Sequence, residues 1–221
     1  MPLEIEVLAD PGAVAERAAA FVAEQADVAV AERGRFIFAV SGGHTPWAMF
    51  AHLTGKLPWE RVTIYQVDER VASEGDPDRN LTHLTANLPP GGPADVRPMP
   101  VDGQDLEAAA ATYARSLPER FDLVHLGLGP DGHTASLVPG DPVLDVSDRD
   151  VALTRLYQGR RRMTLTYPAL SKTRQVLWLV TGSDKVEALR RLRSGDHSIP
   201  AGRVEAAAQL VMADEAAVAG G

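Results

Sequence analysis

Short runs rich in Val, Ile, Leu and Phe punctuate the sequence: Leu3 to Leu8, Arg35 to Val40, Val62 to Val67, Asp122 to Leu126, Val151 to Arg155, Met163 to Thr166, Val176 to Thr181 and Gln209 to Met212. Most are nearly unbroken in apolar character, as expected of strands buried on both faces. Between them lie segments of helical pattern. One starts at Asp10, an N-cap followed by Pro11, and runs through an Ala-rich stretch to about Glu32; others are Pro46 to Leu53, Asp105 to Leu117 and Asp184 to Arg193. This alternation predicts an α/β protein with a parallel sheet covered by helices on both faces. Asn87 to Val101, with five prolines and two glycines, reads as a surface connection. No repeat or low-complexity tract divides the chain, so residues 1–221 are expected to form one domain.

Size supports that picture, because a chain of 221 residues buries roughly 70% of its unfolded surface. The absence of cysteine excludes disulfides, thiolate metal sites and a cysteine nucleophile. The start, MPLEIEVLAD, lacks the pattern of a secretory signal, and no apolar run approaches a membrane span; a cytoplasmic location is expected. A net charge of -8 argues against a nucleic-acid partner, and Arg160-Arg161-Arg162 is too short a basic run to reverse that.

Candidate chemistry begins after the second apolar run, in Ser41-Gly42-Gly43-His44-Thr45-Pro46. A strand followed by a turn of small residues, with Thr45 as N-cap and Pro46 at the first helical position, offers free N–H groups and a positive helix end to an anion. An ordinary strand-to-helix turn has the same composition. The Gly-Lys-Ser/Thr ending of a Walker loop is missing. The third run ends in Val67-Asp68-Glu69-Arg70, charged residues at the carboxyl edge of the sheet, where ligands of open α/β folds collect. Arg70 has the forked donors to grip a carboxyl or phosphoryl oxygen, although a solvated ion-pair cluster fits the same residues.

The segment from Phe121 to Gly140 carries the sharpest signal. Gly127, Gly129 and Gly132 match G-x-G-x-x-G, but Pro130 and Asp131 would stand where a pyrophosphate needs N–H groups, and Pro139 stops any following helix too early for a dinucleotide crossover. The glycines instead form a tight turn carrying Asp131 and His133 to the open end of the sheet, where a neutral imidazole can act as general base. His125, inside a strand, reads as a satisfied core residue; His52 and His197 read as surface, and His44 stands in the anion turn. No H-E-x-x-H or comparable metal spacing occurs, and no G-x-S-x-G elbow.

Five motifs occur in one order: Ser41-Gly42-Gly43 with Thr45-Pro46, Asp68-Glu69-Arg70, Gly127 through Leu137, Arg162 through Pro168, and Val180 through Lys185. In that order they resemble the 6-phosphogluconolactonases, relatives of glucosamine-6-phosphate deaminases. The resemblance implies a three-layer αβα sandwich with a mostly parallel, Rossmann-like sheet. It implies His133 as general base, with Asp131 beside it holding the loop or tuning the ring. Ser41, Gly42, Gly43, Thr45, Asp68, Arg70, Arg162 and Lys185 would line the substrate and phosphate pocket, and no cofactor or metal is implied. The deaminase glutamate five residues after the histidine is replaced by Val138, which favours lactone hydrolysis over aminosugar isomerisation. A non-catalytic sugar-phosphate sensor is the other alternative, disfavoured by the intact His133 loop. The expected partner is a phosphorylated sugar lactone, with no nucleic acid or membrane, and a monomer or weak homodimer.

Overall fold

A computed structural model describes residues 3–89, 92–93 and 95–219. In chain order the elements are β1 (Leu3–Leu8), α1 (Pro11–Arg33), β2 (Phe36–Val40), α2 (His44–Ala51), β3 (Val62–Gln66), β4 (Asp68–Arg70), α3 (Asn80–Asn87), β5 (Asp95–Arg97), α4 (Leu106–Ser116), β6 (Phe121–Gly127), β7 (Val151–Leu153), β8 (Arg162–Leu165), α5 (Tyr167–Ser171), β9 (Thr173–Val180), α6 (Val186–Arg193), β10 (Ala208–Asp214) and α7 (Glu215–Val218). Seven strands form a sheet in the order β1-β10-β9-β6-β2-β3-β5, every pair parallel. One face packs on α1 and α2 through Val14, Val22, Phe50 and Leu123; the other packs on α4, α6 and α7 through Tyr113, Leu189 and Ala217. The parallel sheet and the helices on both faces are those expected.

Local chemistry explains the element ends. Asp10 accepts from the N–H of Ala13 at 2.8 Å, and Gly34 closes α1 in the left-handed conformation. The buried stripe of α1 is mostly alanine, from Ala15 to Ala29, so the helix lies close on the sheet. Asp122, at the start of β6, accepts from Ile37 N and Arg33 Nε, both at 2.9 Å, and thereby ties β6 to β2 and to the end of α1.

Three expectations need correcting. Asp68, Glu69 and Arg70 do not form the carboxyl edge of the third strand of the main sheet. The chain leaves the main sheet at Val67, and Asp68–Arg70 pairs antiparallel with β8, which pairs antiparallel with β7, in a separate three-stranded sheet. Residues 87–101 are not merely a surface connection, because Asp95–Arg97 is the edge strand of the main sheet and Met99 and Val101 are buried; residues 90, 91 and 94 of that stretch lie outside the described residues. Helix α2 begins at His44 with Gly43 as its N-cap, so Thr45 lies inside the first turn and its hydroxyl meets that of Thr181 at 3.0 Å. No described helix is long and apolar enough to cross a membrane.

Candidate active site

A cavity of about 420 Å³ opens at the carboxyl ends of β2, β6 and β9, within the size range of small-molecule sites. The structure gathers Ser41, Gly42, Gly43, Thr45, Asp68, Arg70, His133, Arg162 and Lys185 around it, and exposed His44 as well. Asp131 is not part of the lining but contacts His133.

Beyond β6 the chain turns tightly. Gly129 N donates to the His133 carbonyl at 2.8 Å, and Gly132 N donates to the Gly129 carbonyl at 2.9 Å. The imidazole then folds back over Gly129, where a Cβ would come within 2.1 Å of His133 Nδ1; only glycine leaves that space. Asp131 Oδ1 accepts from Nδ1 at 2.6 Å and from the His133 backbone N–H at 3.1 Å. Burial pushes the Asp131 carboxyl up, but those two hydrogen bonds and the imidazole's charge outweigh it and hold the pKa below the ordinary carboxylate value. With Nδ1–H committed to Asp131, the neutral ring carries its lone pair on Nε2. Tyr157 meets the imidazole edge-on, with ring centroids 5.7 Å apart.

Positive charge comes from three directions. Arg70 and Arg162 are direct cross-strand partners in the antiparallel pair of β4 and β8. Like charges opposite one another oppose pairing, and such an arrangement favours an anion between them. Burial pushes the Arg162 pKa down; the Asp68 charge partly offsets this, and Arg70 adds to the lowering. The Arg162 guanidinium lies 4.9 Å over the Tyr157 ring and donates to Gln158 Oε1 at 2.9 Å, while Nε of both Arg70 and Arg162 has no protein partner. Lys185 closes a 3-10 turn before α6 and pairs with exposed Asp184 at 2.8 Å. The strands bearing Arg162 and preceding Lys185 are not neighbours; they belong to different sheets that meet at the cavity. Arg160 is held by Asp76 and Asp78, so the three consecutive arginines form no basic strip.

The acidic pair points inward. Asp68 is buried, accepting from Ser41 Oγ at 2.9 Å through one carboxylate oxygen and from Ser136 Oγ at 2.7 Å through the other. Glu69 is fully buried and accepts from the N–H groups of Asn80 and Leu81, at 2.7 and 2.8 Å, at the start of α3. Asn80 in turn donates to the Asp68 carbonyl at 2.9 Å and accepts from Arg70 at 2.7 Å. Gly42 passes so close that an added Cβ would lie 1.9 Å from Asn80 Oδ1. Asn80 and Tyr157 fall in no motif of the sequence, and Ser136, although inside the motif from Gly127 to Leu137, carries no role in that reading. His125 is fully buried, as expected of a core residue; burial pushes its pKa down to about 3, and a hydrogen bond with the Ser41 backbone opposes that more weakly. Among the described residues, no group of three His, Asp or Glu side chains is placed to hold a metal.

An α/β cleft with a cationic lining and a helix-opening turn of small residues marks the class of proteins built to hold a small anionic ligand at the carboxyl edge of a parallel sheet. A sequence profile described as glucosamine-6-phosphate isomerases/6-phosphogluconolactonase matches residues 9–212. The chain is 36% identical over 206 residues to the 6-phosphogluconolactonase of Synechocystis sp., covering 86% of this chain and 84% of that protein. It is 34% identical over 225 residues to that of Streptomyces coelicolor, covering 90% and 85%. A solved 6-phosphogluconolactonase from Shewanella baltica superposes with a TM-score of 0.86 at 27% identity, over 96% of this chain and 97% of that one. A monomeric glucosamine-6-phosphate deaminase superposes with 0.84 at 18% identity, over 97% and 98%, a likeness of fold alone. The chain belongs to the glucosamine-6-phosphate isomerase/6-phosphogluconolactonase family.

Proposed function

We propose that this protein hydrolyses 6-phosphoglucono-1,5-lactone to 6-phosphogluconate, with His133 activating the attacking water. The observation that carries the mechanism is the 2.6 Å Asp131–His133 contact beside a cavity lined by Arg70, Arg162 and Lys185. His133 Nε2 takes a proton from water as its oxygen adds to the lactone carbonyl. The tetrahedral oxyanion collapses, the bond to the ring oxygen breaks, and the imidazolium returns the proton to that oxygen. Asp131 orients the ring and balances its transient charge. Arg70 or the N–H groups of the turn donate to the oxyanion as it forms. The substrate phosphate sits on the Ser41–Thr45 turn with Lys185 and Arg162, which fixes the carbonyl relative to the base. Asp68 acts through Ser41 and Ser136, shaping the turn rather than meeting the phosphate.

The position of the deaminase glutamate is Val138, which is buried and transfers no proton, so aminosugar isomerisation has no acid here. The purified protein, given freshly made lactone and corrected for spontaneous opening, should accelerate hydrolysis and release no ammonia from glucosamine 6-phosphate. No acceleration, or ammonia release, would overturn the proposal.

Lys185→Ala should raise KM about 10–100-fold with a smaller change in kcat, matching the roughly 1.5–3 kcal/mol of a hydrogen bond to a charged group. Steady-state kinetics read both terms. A parent KM would place the phosphate elsewhere.

A further inference from the structure

Tyr157 is the residue at which His133 and Arg162 meet. It lies in the connection between β7 and β8, where it exchanges backbone hydrogen bonds with Arg160, of 2.9 and 3.3 Å, across a two-residue turn. Gln158 and Gly159 in that turn both have positive φ, 52° and 81°, the twist that suits a tight antiparallel hairpin. The tip is pinned on both sides: Arg155 N donates to Asp141 Oδ2 at 2.9 Å, and the Arg160 guanidinium is held by Asp76 and Asp78. So fixed, the phenol ring lies against the His133 imidazole, with centroids 5.7 Å apart and planes at 64°, and 4.9 Å from the Arg162 guanidinium above it. Burial and the Asp131 charge raise the Tyr157 pKa, against the opposing pull of Arg162, so the ring meets both groups as a neutral aromatic. His133 and Arg162 come from different parts of the fold, the turn after β6 and strand β8, and both line the cavity; half-buried Tyr157 does not, and it belongs to neither apolar core.

We propose that Tyr157 is a positioning residue, whose ring holds the His133 imidazole and the Arg162 guanidinium in one fixed relation across the cavity. The inference rests on the proposed roles of His133 as base and Arg162 as a cation that binds the substrate. An edge contact between rings favours a defined tilt, and a guanidinium over an aromatic face is attracted by the ring quadrupole. Asp131 constrains the imidazole at Nδ1, and Gln158 holds the Arg162 guanidinium by one hydrogen bond. Tyr157 supplies a second constraint on each. Proton transfer needs an aligned base and a substrate held at the right distance, so one side chain that touches neither water nor lactone governs both.

The test compares Tyr157→Leu and Tyr157→Phe with the parent for kcat and KM on fresh lactone and for melting temperature, and also places Tyr157→Leu in the His133→Ala and Arg162→Ala backgrounds. Tyr157→Leu should lower kcat and raise KM, each by roughly 3–10-fold, the scale of one aromatic contact apiece, with the melting temperature near the parent's. Tyr157→Phe keeps the ring and should retain parent values. In the His133→Ala background the leucine should leave kcat unchanged and still raise KM; in the Arg162→Ala background it should leave KM unchanged and still lower kcat. Parent kinetics in Tyr157→Leu, equal losses in Tyr157→Phe, or full additivity in both backgrounds overturns the proposal. A Tyr157→Leu variant that fails to fold or melts far below the parent overturns it too, because the residue then serves the fold as a whole. If His133→Ala and Lys185→Ala lose function while Tyr157→Leu does not, this inference alone fails. If the parent does not accelerate lactone hydrolysis, it is the proposed function that fails.

Discussion

His133→Ala should lower kcat by about 10²–10⁴-fold, the usual loss when a general base is removed, while 6-phosphogluconate binds as it does to the parent. The two readouts separate because the imidazole and the cations occupy different parts of the framework. The ring is held by Asp131 in the turn after β6, whereas Arg70, Arg162 and Lys185 come from β4, β8 and the turn after β9. Truncation at the histidine breaks no contact made by the three cations. Rates with fresh lactone and product titration by calorimetry check the pair, and turnover equal to the parent's would remove the mechanism.

Gly129→Ala should be nearly as damaging to turnover although it removes no functional group. The new methyl would lie 2.1 Å from His133 Nδ1 and 2.8 Å from Asp131 Oδ1, so the ring and the carboxylate must both move. Gly129 does not adopt a left-handed conformation, so alanine brings no backbone strain and the fold should persist. Displacement of a reacting group by about 1 Å costs on the order of 10²-fold, and that loss is expected in kcat with the melting temperature little changed. The double variant Gly129→Ala with His133→Ala should be no slower than His133→Ala alone, since the glycine acts only through the ring. Parent-like turnover in Gly129→Ala would mean that the position of the ring is immaterial.

The parts of this architecture that depend on local pattern were legible in the sequence. Continuous apolar runs marked the main strands, Asp10-Pro11 marked the start of α1, and a glycine-rich turn marked His133 because such a turn projects a side chain at a strand end. What depends on distant partners was not. Asp68 and Glu69 read as charges at an open edge, yet the N–H groups of Asn80 and Leu81 and the hydroxyls of Ser41 and Ser136 draw both carboxylates inside. Nothing within the tripeptide announces those partners. The opposition of Arg70 and Arg162 depends on the register of a second sheet that a reading for parallel strands does not foresee.

Chemical rescue of His133→Gly is the most direct test of the central claim. Imidazole added to this variant should restore lactone hydrolysis in a saturable way, beyond the sum of the rates given by the variant alone and by imidazole alone, and the rescue should follow the neutral form of the added base. Rates that merely add, in a variant that still binds 6-phosphogluconate like the parent, would contradict an imidazole at residue 133 as the group that activates water.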